Sequence, residues 1–256
     1  MNVFLTILII AAVSVGIIAA VIYFSGIRYI SINAEDGSTV KYFGRVDKSG
    51  DPLSGKLYYS NGITAEVDMN KNSIVYSNGD VYEGGLSKLR RNGSGKLTYA
   101  SGDVYEGEFA LDKITGYGVY SFSNGDIYEG YLVDGKKDGT GTYTWADGSV
   151  YTGAYKDDMK NGEGKYVWND GSSYEGTYVN ELKEGTGTYI FANGDRYVGD
   201  FKADVRTGKG TYTWSNGEIY EGEFVDNKMS GQGKYTWPSG RVYEGYFENG
   251  KIVQAS

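Results

Sequence analysis

From Tyr82 onward, apolar and polar residues alternate in short runs that stop at glycine-containing turns. In Gly116-Tyr117-Gly118-Val119-Tyr120-Ser121-Phe122, period 2 puts Gly116, Gly118, Tyr120 and Phe122 on one face. In Tyr128-Glu129-Gly130-Tyr131-Leu132 it puts Tyr128, Gly130 and Leu132 together and turns Glu129 to the other side. This is strand periodicity. Asn124-Gly125 lies between the two runs, and Asp147-Gly148, Asp170-Gly171, Asn193-Gly194 and Asn216-Gly217 take the same place further on. Such dipeptides between alternating runs predict β-hairpins. Parity adds a constraint. Phe122 and Tyr128 share a face only if residues paired across the turn are an even number apart. The turn is therefore expected to have three residues, or a bulge, with its glycine in the left-handed region. The return segment Leu132–Gly139 reads as a short polar connection to the next hairpin.

The pattern recurs in register. Tyr-x-Gly starts at Tyr82, Tyr105, Tyr128, Tyr151, Tyr174, Tyr197, Tyr220 and Tyr243, each 23 residues after the last. Gly-x-Gly keeps the same step from Gly93 to Gly231. Two marks holding one period define a repeat array. The array begins in degraded form: Tyr42-Phe43-Gly44 matches, Ala65-Glu66-Val67 has lost both Tyr and Gly, and Tyr82 follows Ala65 by 17 residues. End repeats are expected to be irregular, since one side has no neighbour to pack against.

The other apolar stretch has no such alternation. Val3–Phe24 is 22 residues without a charge, about 33 Å as a helix and long enough to cross a bilayer. It is longer than a signal-peptide core and has no basic residue ahead of it. A lipid bilayer is thus an expected partner through residues 3–24. Arg28, Lys41, Arg45 and Lys48 all follow the span, so the positive-inside rule places the repeats in the cytoplasm. The expected layout is a transmembrane α-helix at 1–26, a tether at 27–41 with room for one strand in Arg28-Tyr29-Ile30-Ser31-Ile32, degenerate repeats at 42–81, and regular repeats at 82–256 ending in half a repeat.

Composition narrows the chemistry. With 40 Gly, 26 Tyr and only 2 Pro in 256 residues, the chain is neither collagen-like nor a proline-rich linker. A net charge of −8 argues against nucleic acid as a partner, because that affinity rests on cations meeting phosphates. The chain has no Cys and no His, which removes thiol nucleophiles, histidine triads and the usual zinc ligands. Gly-x-Gly without a following helix is not a phosphate cradle. The acidic row Glu83, Glu106, Glu129, Glu175, Glu221 and Glu244 reads as a solvated face. No catalytic, metal or cofactor residue is expected, and the chain is not expected to be an enzyme.

The aromatic residues are the candidate binding surface. Tyr120 and Phe122, Tyr143 and Trp145, Tyr166 and Trp168, Tyr212 and Trp214, and Tyr235 and Trp237 fall on one face. They are the expected fillers of the gaps that strand glycines leave.

Tyr105-Glu106-Gly107-Glu108-Phe109 followed by Gly116-Tyr117-Gly118-Val119-Tyr120 resembles the MORN repeat (membrane occupation and recognition nexus), as does Tyr220–Phe224 followed by Gly231–Tyr235. The resemblance covers about residues 75–250 well. It implies an all-β fold, an elongated single-layer twisted antiparallel sheet of repeated hairpins. It also implies scaffolding work in lipid-associated, cytoskeletal and enzyme-linked proteins. The expected function is a membrane-anchored scaffold for a protein partner. The alternative is a surface that takes lipid headgroups or envelope glycan on its aromatic face. The array stops after Tyr243-Glu244-Gly245-Tyr246-Phe247, so Tyr243, Tyr246 and Phe247 are expected to form an edge where a second copy pairs into a homodimer.

Overall fold

The computed structural model describes residues 26–33 and 39–253, and every regular element among them is a β-strand. No helix among the described residues is long and apolar enough to cross a membrane. The helix expected over 1–26 lies outside the described residues up to residue 25, as do Gln254–Ser256. The chain divides into two units, Met1–Ile114 and Thr115–Ser256.

The first unit contains β1 (Ile27–Asn33), β2 (Thr39–Val46), β3 (Pro52–Tyr58), β4 (Thr64–Asp68), β5 (Ser73–Tyr76), β6 (Val81–Ser87), β7 (Arg90–Thr98) and β8 (Val104–Ala110). Each pairs antiparallel with the next. The segment expected as a tether at 27–41 contains the strand read at Arg28–Ile32. Ile27–Asn33 is a strand paired to β2, with Ile30 opposite Tyr42. Its alternating Ile27, Tyr29 and Ser31 against Arg28, Ile30 and Ile32 suits a sheet edge better than a free linker. Ala65 and Val67 fill the slots that Tyr and Gly hold elsewhere, and both are buried. Most of the six-residue shortfall comes out of β5, which has four residues where β7 has nine.

The second unit runs from β9 (Lys113–Ser121) through β10 (Ile127–Val133), β11 (Lys136–Thr144), β12 (Val150–Lys156), β13 (Met159–Val167), β14 (Ser173–Val179), β15 (Leu182–Ile190), β16 (Arg196–Lys202), β17 (Val205–Thr213), β18 (Ile219–Val225), β19 (Lys228–Thr236), β20 (Val242–Glu248) and β21 (Lys251–Ile252). All neighbours in this series are antiparallel.

Two kinds of turn alternate. At Asn124-Gly125, the Gly125 N–H donates to Phe122 O and the Phe122 N–H to Asp126 O, both at 2.9 Å. Gly125 has φ 94°. This is the expected three-residue turn closed by a left-handed glycine, and it keeps Tyr120 opposite Tyr128. The return segment is not an open connection but a second, tighter hairpin. Val133 pairs with Lys136 around Asp134-Gly135, whose φ angles are 50° and 82°, as a type I′ turn requires. The register then slips by two residues between Gly130, which faces Gly141, and Leu132, which faces Lys137.

The core is a row of tyrosines, one per repeat. Tyr42, Tyr82 and Tyr105 in the first unit, and Tyr128, Tyr151, Tyr174, Tyr197 and Tyr220 in the second, are essentially without exposed surface. The rings of Tyr42, Tyr82, Tyr128, Tyr151, Tyr174, Tyr197 and Tyr220 each lie over glycine. A Cβ on Gly187 would sit 2.6 Å from both Cε2 and the hydroxyl of Tyr174, and Gly176 and Gly187 face each other across the strands. The expected fillers are thus corrected: the gaps are closed by the tyrosine two residues ahead in the same strand. Period 2 puts that ring on the face of its own glycine, so folding flat reaches both glycines of the pair.

Candidate binding surface

Beside Tyr105, Tyr151, Tyr174, Tyr197 and Tyr220 stands a second ring from the end of the same short strand. Tyr151 and Tyr155 meet edge to face at 5.2 Å, Tyr151 and Tyr178 at 5.4 Å, Tyr174 and Tyr178 at 5.3 Å, and Tyr174 and Phe201 at 5.1 Å. Edge-to-face contacts at these distances add about 0.5–1.5 kcal/mol each beyond the area they bury. Phe247 closes this zipper against Tyr220 at 4.8 Å and Tyr243 at 5.5 Å, and only 2% of it is exposed. Phe247 is therefore core rather than edge. Tyr243 is half-buried and Tyr246 is 60% exposed. The two-residue β21 pairs with Phe247 and Glu248.

The ten rings read from sequence as the binding face form a separate ladder in the second unit. Tyr120 and Phe122 stack at 4.4 Å, Tyr143 and Trp145 lie at 4.5 Å, Tyr166 and Trp168 at 4.4 Å, Tyr212 and Trp214 at 4.5 Å, and Tyr235 and Trp237 at 4.8 Å. Tyr189 and Phe191 complete it, bridging Trp168 at 5.4 Å to Tyr212 at 5.6 Å. Both stand one period beyond Tyr166 and Trp168, the signal that identifies them. Every ring of the ladder is half-buried. At its end the Arg241 guanidinium stacks 3.7 Å from the Trp237 ring centre.

Between zipper and ladder runs a row of cations that the sequence reading placed in the polar return segments. Lys160 Nζ lies 5.6 Å from the Tyr151 ring, 5.1 Å from Tyr166 and 5.3 Å from Tyr178. Lys137, Lys183 and Arg206 repeat the arrangement at the 23-residue step. Burial holds the Lys137 ammonium below its ordinary pKa, against the pull of Asp158 and Glu181. Met229 takes the same register position opposite Phe224. Each cation's backbone is clipped to the following turn: the Lys183 N–H donates to Asp204 Oδ1 at 3.0 Å, and the Asp204 N–H to Lys183 O at 3.0 Å. The signal for these clips is the recurrence of Asp, Glu or Asn at 112, 158, 181, 204 and 227.

A second clip works at the other turns. Asp195 Oδ1 accepts the Ser215 N–H at 2.9 Å, and its Oδ2 accepts the Tyr212 hydroxyl at 2.7 Å. Asp126 does the same for Ala146 and Tyr143. The Tyr143 hydroxyl and the Ala146 N–H hold the Asp126 carboxyl below the usual range. At Asp195 partial burial opposes the shift, but the bonds from Ser215 and Tyr212 still leave the pKa lowered.

The opposite face is polar. Glu83, Glu106, Glu129, Glu175, Glu221 and Glu244 are all exposed. Lys96 pairs with Glu106 at 2.7 Å and Lys165 with Glu175 at 3.4 Å. Among the described residues no group of three or more Asp, Glu, His or Cys is placed to hold a metal.

Among solved structures, the SAS-4 (dCPAP) TCP domain of Drosophila melanogaster, in complex with a proline-rich motif of Ana2 (dSTIL), is 17% identical. The match covers 65% of this chain and 95% of that one, with a TM-score of 0.39. A streptogramin B lyase is 15% identical over 88% of this chain and 84% of its own, and virginiamycin B lyase from Staphylococcus aureus is 11% identical over 87% and 85%, each with a TM-score of 0.18. No curated protein matches the sequence. The MORN repeat family matches at 82–104, 105–127, 128–150, 151–173, 174–196, 197–219 and 220–240. These seven consecutive segments span more than half of the chain, which belongs to the MORN repeat family.

Proposed function

We propose that this chain is a membrane-tethered scaffold that holds a protein partner along the ring ladder of its second unit. The observation that carries the reading is the ladder itself: rings from Tyr120 to Trp237 in unbroken contact, every one half-exposed. Contiguous apolar surface of this kind marks an interaction site. Aromatic rings give large contact area with little conformational entropy to lose, which suits them to hot spots. The 22 uncharged residues of Val3–Phe24 supply the tether in this reading, and the cations after them orient the repeats toward the cytoplasm. No catalytic residue, metal or cofactor is assigned.

Photo-crosslinking tests the surface directly. A photoreactive side chain at Trp168 in the full chain, expressed in its own host, is expected to trap a discrete protein adduct. The same group at Glu175, on the polar face, is expected to trap none. Adducts at Glu175 with none at Trp168 would move the binding surface to the other side of the sheet.

A second copy of this chain is the other candidate partner. Exposed Tyr246, Val242 and Val253 at the last strands support that reading. An adduct twice the chain's own mass in the same experiment would identify it.

A further inference from the structure

The first unit contains a cavity of about 890 Å³ with a chemistry unlike the ladder. Its walls include the rings of Tyr59, Tyr76 and Tyr99 and the guanidinium groups of Arg90 and Arg91. In the second unit the trough beside the rings is filled by Lys137, Lys160, Lys183 or Arg206. Here Arg91 holds the same register position, 5.3 Å from the Phe109 ring, but the neighbouring repeat is six residues short and β5 is only four residues long, and open space remains beside it.

The cavity's two guanidiniums share one carboxylate. Arg90 Nε lies 3.3 Å from Asp112 Oδ2, and Arg91 Nε 3.5 Å from Asp112 Oδ1. Both side chains are less than one-fifth exposed. One carboxylate thus serves two partly buried guanidiniums. Its Oδ1 also accepts the Arg91 N–H at 2.9 Å. Asp80, the other acid on the wall, is committed elsewhere: Oδ1 to the Ala100 N–H at 2.9 Å and Oδ2 to the Asn78 amide at 2.9 Å. Lys113 also lines the cavity. Arg91 Nε is buried without a hydrogen-bond partner among the described residues. A buried donor left unpaired is destabilising, more so when charged.

A guanidinium is built to take a planar anion through two N–H groups at once. Tyr59 and Tyr76, whose centroids are 6.0 Å apart, offer ring surface and hydroxyls beside it. Burial first, then the neighbouring tyrosine and Asp112, raises the Tyr59 pKa, so its hydroxyl stays a neutral donor. A volume of this size is in the range of small-molecule sites.

We propose that this cavity binds a small organic anion, its carboxylate or phosphate against Arg90 and Arg91 and its flat body against Tyr59 and Tyr76. The inference is independent of the scaffold reading, since it uses none of the ladder residues.

Calorimetric titration of the full chain in detergent with benzoate, phenyl phosphate and the uncharged analogue benzamide tests it. At least one anion is expected to bind saturably, one per chain, and benzamide at least tenfold more weakly. The preferred anion separates carboxylate from phosphate. Arg90→Gln is expected to weaken binding at least tenfold while the unliganded chain still unfolds in one cooperative transition, because the backbone clip between Arg91 and Asp112 remains. Lys183→Gln, in the other unit, is expected to leave binding unchanged. Equal binding of benzamide, no saturable binding of either anion, or full affinity in Arg90→Gln would overturn the proposal.

Discussion

At Gly187 the absence of a side chain decides the fold locally. A methyl there would press into Tyr174, 2.6 Å from Cε2 and from the hydroxyl oxygen and 2.7 Å from Cζ. Overpacking of a core typically costs about 1–3 kcal/mol, and here the neighbour is a ring pinned by its hydroxyl to Thr177 O at 3.2 Å. Gly187→Ala is therefore expected to destabilise by about 2–3 kcal/mol, measured by denaturant unfolding. In a Tyr174→Leu background the same change should cost under about 1 kcal/mol, because the clash is gone. Equal costs in both backgrounds would mean the glycine is needed for some other reason. The same tyrosines set the response to alkali. Burial pushes Tyr105, Tyr174 and Tyr197 up to about 12, from 10.0. Their folded pKa exceeds the unfolded one, so the stability they give is complete below pH 10 and fades between about 10 and 12. A rising phenolate absorbance should then coincide with loss of the β-sheet dichroism. At the acid end the sign reverses: Asp126 and Asp195 are lowered from 3.8, and their contribution disappears as pH falls below that value.

One strand pair shows what an element adds to its residues. β16 and β17 turn at Ala203-Asp204, with φ angles of 48° and 70°, a turn without glycine. Its glycine-containing counterparts are Asp134-Gly135 and Asn249-Gly250. The contrast marks how far the sequence alone is legible. Asn-Gly and Asp-Gly turns announce themselves, and their three-residue geometry follows from parity. The type I′ turns at Leu111-Asp112 and Ala203-Asp204 have no such signature, because clips to the preceding repeat hold them in place of intrinsic preference. The cations escape a sequence reading for the same reason: as part of a loop, Lys160 and Lys183 belong on the surface, whereas a two-residue register slip turns them onto the rings. The period, the faces and the row of buried tyrosines are legible. Which ring covers which glycine is not, since both ring sets share a face and parity cannot separate them. The clip is expected to matter more than the charge. Lys183→Met should change stability by less than about 1 kcal/mol, because a thioether packs on the same rings without the cost of burying a charge, and Met229 already occupies that slot. Asp204→Ala should cost about 1–2 kcal/mol, because it strands the Lys183 N–H and puts alanine at φ 70°. Thermal melts of the two variants compare them; a larger loss for Lys183→Met would place the stability in the cation row.

At the scale of the molecule, repeats that each close their own core need no second layer of structure. A solenoid of this kind is stabilised by neighbour contacts, and among the described residues those contacts are the ring zipper, the two clips and the strand ladders. Such a design leaves its outer rings available along the second unit, and the ladder is where a partner is proposed to sit. A scaffold gains from being held in one location, which the uncharged stretch Val3–Phe24 would provide. The most direct measurement is membrane fractionation with an alkaline wash, comparing the full chain with one lacking residues 3–24. The full chain is expected to stay in the washed membrane pellet, and the shortened chain to be released with its fold intact. A full chain that washes into the supernatant would contradict the tether, and would leave a MORN scaffold that acts without a bilayer.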